Sequence, residues 1–444
     1  MIDKDITEHY LKNVLNREED EANRLFGLEI ELTLASLSDY RIVKDPSITE
    51  KLLLRIASEK NWEIIYDKVS NKPIRIETLN GSSEHKLSIS PDFSVSTLEI
   101  STIPETSLQT LLENTQDIGT KVNLIAKRNG LCLIAGGVHP FASPDQSDIY
   151  SFNSRYVKTL LSEEMPQLIC QSLQFTFSLN ADELVPMYST LQKLIPLFSR
   201  LFSASPVYNG KITDKFSFRE WFYLQRSLLD RRYGFGPQIK SINDYYNLVI
   251  DYPLSRIIRN GKTVFLDKMV PFREFAKYRT HFSAGIDDGR SIIDDFEVFE
   301  STIWHNIRIK SRIGAIEIRS TDSLPMPYIA PFASFIRGII ANINEVKSFI
   351  DVIEFKHLPH LYKKSIIEGL GNDIFTQKML PHIISLAQKG LYVIGEANCI
   401  CHLDKLKKFI YDKKNIASEI QEQFRGSNNS EERMFKVMSI LSWP

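Results

Sequence analysis

FGLEIELTL, residues 26–34, decides the fold class of this chain. Leu28, Ile30 and Leu32 alternate with Glu29, Glu31 and Thr33. A period of two sends the apolar set to one face of a β-strand and the carboxylates to the other. Runs of the same kind follow as WEIIYDKV (62–69), IRIETLN (74–80), HKLSIS (85–90) and STLEISTI (96–103). Most of their connections are too short for a crossover helix, which predicts antiparallel neighbours. LCLIAGGVHP (131–140) reads as a buried strand. SLQFTFSLN (172–180) and RIGAIEIRSTDS (312–323) read as further strands, the last alternating from Ile313 to Asp322.

Helical spacing covers residues 5–25, 47–60, 105–129, 154–168 and 182–203, and the second of these opens with a capping-box pattern. Two loop-rich stretches, 205–240 and onward to 290, mix Gly, Pro, Arg and aromatic residues. Past residue 326 only helical periodicity remains, over 327–350, 380–389, 402–425 and 430–441. The expectation is an α+β fold without repeats or low-complexity linkers. A catalytic unit spans residues 1–325, and a helical C-terminal segment, 326–444, packs on it.

The 444 residues carry 54 basic and 55 acidic side chains, a net charge of −1. That balance supplies no long-range field for nucleic acid or anionic membrane. The N-terminus lacks an apolar leader core, and no stretch reaches the roughly 18 apolar residues of a membrane span. Cys132, Cys170, Cys399 and Cys401 are too few for a disulfide scaffold. A cytoplasmic protein, monomeric or homodimeric, with small-molecule substrates is expected.

Four strand regions hold charged or amide side chains on one face. Glu29 and Glu31 share a face, as do Gln174, Thr176 and Ser178; Glu317 and Arg319 share another, with Asp322 close behind. Asp92 and Glu99 bracket a strand in PDFSVSTLEIST. The plain alternative for each is the solvated outer face of an antiparallel sheet. Taken together, carboxylates lining one sheet face repel each other unless cations are present. Mg²⁺ prefers hard oxygen ligands and commonly brings substrate phosphates with it, so an ATP–Mg²⁺ site is the economical reading. Arg219, Arg231, Arg232 and Arg319 add side chains shaped for bidentate contact to phosphate or carboxylate. A surface ion pair is favoured for Arg231 or Arg232 taken singly.

These segments resemble the glutamate–cysteine ligase family, most closely its plant and proteobacterial type. FGLEIELTL looks like its opening Gly-x-Glu-x-Glu strand, and HKLSISPDFSVSTLEISTIPE is similar to a segment with a metal-binding Asp and Glu seven residues apart. SRYVKTLL with CQSLQFTFSLNADE resembles an Arg-Tyr helix and the following strand. LFSASPVYNGKITDKFSFRE resembles an Ala-x-Ser-Pro…Gly-Lys…Ser-x-Arg block. DYYNLVIDYPLSRIIRNGKTVFLDKMVPFREF is similar to a plant-type block, and AIEIRSTD to a Leu-Glu-x-Arg-x-x-Asp strand. Six motifs occur in order over residues 24–325.

The resemblance implies a curved antiparallel half-barrel like the catalytic core of glutamine synthetase, with ATP and Mg²⁺ in its funnel. It implies Glu29, Glu31, Asp92, Glu99 and Glu317 as metal ligands, and Lys211, Gln174 and Arg319 at the nucleotide. Arg319, Arg219 and Glu317 would serve the phosphoryl transfer. The implied reaction is amide formation through an acyl phosphate, with glutamate and cysteine as the pair. Loops 208–240 and 280–295 are candidate lids against water.

The chain departs from the plant type at Thr176, where that type has Asn, and in the segment after Asp214. Ligation of another acid or amine, as in small-peptide or natural-product assembly, stays open, as does a scaffold that keeps the fold without turnover. Cys399-Ile-Cys401-His402 lacks partners for a four-ligand metal site and reads as helix-end packing. His139 is equally a site residue or the end of a buried strand. His85 and His305 read as ordinary polar positions, Tyr245, Tyr246 and Tyr252 as mostly core, and Trp221 as a candidate pocket lining. No phosphate-binding glycine loop of P-loop or Rossmann type occurs.

Overall fold

The computed structural model describes residues 2–15, 21, 23–67, 70–79, 86–92, 94–143, 150, 169–260, 262–282 and 289–443. Its centre is a nine-stranded antiparallel sheet built on β1 (Phe26–Ser36). The other strands are β2 (Glu63–Tyr66), β3 (Pro73–Glu77), β4 (Ser88–Pro91), β5 (Thr97–Ser101), β6 (Leu131–Ile134), β7 (Leu173–Ser178), β8 (Ile307–Lys310) and β9 (Ala315–Ile318). The order is β8-β9-β7-β1-β5-β4-β3-β2, and β6 pairs with the far end of β1.

Alternation works as the sequence predicts. Leu28, Ile30, Leu32, Leu98, Ile100, Phe175, Phe177, Ile316 and Ile318 are buried on one face. Each side chain of that size contributes about 1.5–3 kcal/mol on burial. Helices cover this face. Among them are α1 (Pro46–Lys60), started by Asp45 as N-cap with proline at the first turn, and α2 (Leu108–Arg128), capped by Ser107. From the C-terminal segment comes α5 (Ile329–Ala341), whose Phe332 meets Phe175 edge-on with centroids 6.4 Å apart. Among the described residues, 329–441 hold seven α-helices, of which α5 packs on β7. The chain then returns to the sheet: Trp443 N donates to Leu133 O at 2.9 Å, and Asn123 Nδ2 donates to Trp443 O at 3.0 Å. No single described helix is long and apolar enough to cross a membrane.

Several boundaries differ from the sequence reading. The first helix runs only over Ile2–Asn13. RIGAIEIRSTDS is a strand only over Ala315–Ile318, because Ser311–Ile313 forms a 3₁₀ turn closed by Gly314 at φ 59°. Asp92 lies just past the end of β4 and Glu99 inside β5, so the two do not bracket one strand. The stretch 205–240 contains α4 (Phe218–Ser227), after α3 (Ala181–Leu201), and the following stretch contains the hairpin Pro253–Arg259/Lys262–Pro271. Residues 402–425 split at Lys413, φ 55°. The expected helix at 154–168, His85 and part of the 280–295 loop lie outside the described residues.

Candidate active site

The second face of the sheet is polar across its width. Register places Glu317 opposite Thr176, Gln174 opposite Glu29, Glu31 opposite Glu99, and Glu99 opposite Ser90. Arg319, one residue past β9, stays on this face and donates through Nη1 to Gln174 Oε1 and to Glu317 Oε2, the latter at 2.8 Å. Five of the residues singled out from sequence, Glu29, Glu31, Gln174, Glu317 and Arg319, therefore share one patch. Glu99 adjoins it.

The carboxylates are not equivalent. Glu31 is buried, and its oxygens accept from Ser172 N at 2.6 Å, Ser172 Oγ at 3.0 Å and Gln174 Nε2 at 2.6 Å. Burial pushes its pKa up, against the pull of Arg319 and Arg219. Glu317 is fully buried. Burial opposes its charge, yet Lys310, Arg319 and Arg308 outweigh that and hold it well below the usual carboxylate range. Glu99 goes the other way. Burial first, then repulsion from Glu29, Asp92 and Glu31, pushes its carboxyl well above the ordinary value.

That repulsion is the condition a divalent cation relieves, and Glu29, Asp92 and Glu99 are the hard oxygen donors Mg²⁺ takes. The donor chemistry fits the ion, although among the described residues no three such groups already converge as a metal cluster. Glu31 and Glu317 instead have both oxygens engaged by protein donors.

Arg219 is buried at the start of α4, where Ser217 caps the helix by accepting from Glu220 N. It donates through Nη1 to Glu220 and to Thr321 O at 3.3 Å, while its Nε is buried without a hydrogen-bond partner. Asp322 lies beneath, fully buried, accepting from Ala204 N, Ser205 Oγ and Ser217 Oγ at 2.7, 2.7 and 2.8 Å. Lys211 is exposed on the Val207–Tyr208/Lys211–Ile212 hairpin.

A cavity of 310 Å³ opens at the Gly27 end of the polar face, lined by Glu29, Thr176, Lys310, Ser101, Arg75 and Lys86 among others. Lys310, Arg308, Ser172, Arg75 and Lys86 escaped the sequence reading. IRIK (307–310) does alternate, but four residues give too short a signal. Arg232 is buried and bonds Asp230, with Nη2 2.6 Å from Oδ2, which corrects the surface ion pair. His305 is likewise buried, bonded to Arg231 O at 2.9 Å. His139 is buried and reaches Tyr40 O at 3.0 Å. Cys399 is buried and Cys401 exposed.

Residues 25–347 match the model of glutamate-cysteine ligase family 2 (GCS2). The chain belongs to this family. The Roseiflexus sp. (strain RS-1) protein named "Putative glutamate--cysteine ligase 2" is 25% identical over 184 residues, 40% of this chain and 47% of that relative. The bifunctional glutathione synthetase from Pasteurella multocida shares the fold, with a TM-score of 0.54 at 12% identity over 99% of this chain and 54% of that one. The glutamate–cysteine ligase from Francisella tularensis in complex with AMP gives a TM-score of 0.49 at 12% identity, over 94% of this chain and 87% of that one. The chain thus spans about half the length of the first two. The family-2 match includes every strand of the polar face and runs into the C-terminal helices.

Proposed function

We propose that this chain is an ATP- and Mg²⁺-dependent carboxylate–amine ligase that forms an amide through an acyl phosphate. One observation carries the reading: in a member of this family, the carboxylates of β1 and β5 share a sheet face with Gln174 and Arg319. Glu29, Asp92 and Glu99 would hold Mg²⁺, which supplies charge neutralisation for the phosphoryl group. Arg319 uses Nη1 on Gln174 and Glu317, which leaves Nη2 and Nε as donors for a phosphoryl oxygen. Arg219, buried against Glu220, would add positive charge behind the site, where it acts on Glu31.

In the reaction, a carboxylate oxygen attacks the γ-phosphorus and ADP leaves. The amine nitrogen then attacks the acyl carbon, phosphate leaves, and the amine proton passes to solvent. The pair is read as glutamate and cysteine. Thr176 and the divergent segment after Asp214 favour keeping a different acid or amine as the second reading.

An ADP-release screen over amino acids, singly and in pairs, with mass spectrometry of the product, tests both. Arg319→Ala and Glu99→Ala should each lower turnover by about 10²-fold or more with an unchanged circular dichroism spectrum. Near-normal turnover in either would remove these assignments. No ADP from any pair, with no Mg²⁺–nucleotide stabilisation of the fold, would leave the scaffold reading in place of the enzyme.

A further inference from the structure

Lys310 ends β8 and pairs with Ala315 on β9, which pairs in turn with Ser178 on β7. The next row holds Thr176 and, on β1, Gly27. These four small residues line the same cavity as Lys310 and Glu29. Across that floor, Lys310 Nζ donates to Glu29 Oε1 and to Glu317 Oε1, both at 2.8 Å. The two glutamates stand on strands separated by β7, so cross-strand pairing does not join them. One ammonium does. Thr176 keeps the crossing open, because its side chain is short and its buried hydroxyl binds nothing.

The carboxylates here are already more than compensated. Glu317 also faces Arg319, and Arg308 Nη1 at 3.5 Å, so two carboxylates meet three cations. A divalent ion added between Glu29 and Glu317 would enter a region that is already net positive. The charges that act most on Glu99 are instead acidic ones, Glu29, Asp92 and Glu31.

We propose that Lys310 is a built-in cation that takes the place a divalent ion would otherwise occupy between Glu29 and Glu317, confining divalent-ion binding on this face to the Glu99–Asp92 side, where Glu29 offers only Oε2. Lys310 is thereby a positioning residue: it fixes Glu29 toward β9 and holds Glu317 against Arg319. The inference rests on the ligase reading only in treating this face as a cation site.

Manganese tests it, counted by electron paramagnetic resonance titration of the full chain. Lys310→Ala should bind one more Mn²⁺ per chain than the unsubstituted protein and should melt higher with Mn²⁺ than without. Lys310→Arg, which keeps the charge, should keep the original count. An unchanged or lower count in folded Lys310→Ala overturns the proposal, as does an extra ion in Lys310→Arg. If Lys310→Ala folds only when Mn²⁺ is added, the proposal stands; if Mn²⁺ does not restore folding, it falls. A natural chain that binds no Mn²⁺ and releases no ADP would remove the ligase reading, while a gain on Lys310→Ala would still support the role of Lys310.

Discussion

Asp322 shows how far a single side chain can be read before the fold is known. The sequence places it just behind Arg319, as one more acid near the chemistry. In the fold it is a buried bracket whose donors, Ala204, Ser205 and Ser217, lie more than 100 residues away in the chain. Local spacing does not encode contacts of that range. Glu29 and Glu31 were legible because their placement needs only the period of one strand. The bracket ties the cap of α4, and with it Arg219, to the end of β9. Asp322→Ala removes a carboxylate that burial disfavours, which alone would help the fold. It also strands one N–H and two hydroxyls in the interior, and a cavity opens. The stranded donors win: a loss of about 3 kcal/mol is expected, read from the urea midpoint. An unchanged midpoint would mean that water satisfies those donors.

Most strands, down to the four fully buried residues of β6, and the long helices announced themselves in the sequence, whereas β8 and α4 did not. β8 has four residues, and neither it nor its lysine stands out in the sequence. α4 was hidden among aromatics, although Ser217-x-x-Glu220 is an N-terminal capping pattern that marks its start. How two helices approach each other is less legible still. Helix α5 crosses the helix Leu380–Val393 through Gly338 and Gly390. A Cβ at Gly390 would fall 2.0 Å from Gly338 O, and one at Gly338 2.2 Å from Ala387 O. In an isolated helix, Gly→Ala stabilises by about 1 kcal/mol. Here the obstacle is backbone, which cannot rotate away, so overpacking prevails and Gly390→Ala should destabilise by about 2 kcal/mol. Equilibrium urea unfolding decides the sign, and a stabilised variant would show that the two helices can separate freely.

Across the whole molecule, buried titratable groups set an opposed response to pH. His139 and His305 are pushed down to about 4, chiefly by burial. Their unfolded values are near 6.5, so the stability they confer is present above that pH and is lost as pH falls toward 4. Glu220 and Glu300 are pushed up to about 7, again chiefly by burial. Their contribution is complete below the unfolded value of 4.5 and is lost as pH rises through 7. Between these limits the two histidines and the two glutamates pull in opposite directions, so their own contributions to stability roughly cancel from about pH 4.5 to 6.5. Glu300→Gln breaks the balance. The amide can keep the bonds to Ser311 N and Oγ that the carboxylate now makes, yet it does not titrate. The variant should therefore gain on the natural chain as pH rises, by roughly 3 kcal/mol in all, since a shift of about two and a half units carries about 1.4 kcal/mol per unit. Urea midpoints of the two proteins, measured side by side near pH 5 and near pH 7, should diverge. Parallel midpoints would mean that Glu300 ionises in the fold as easily as in water.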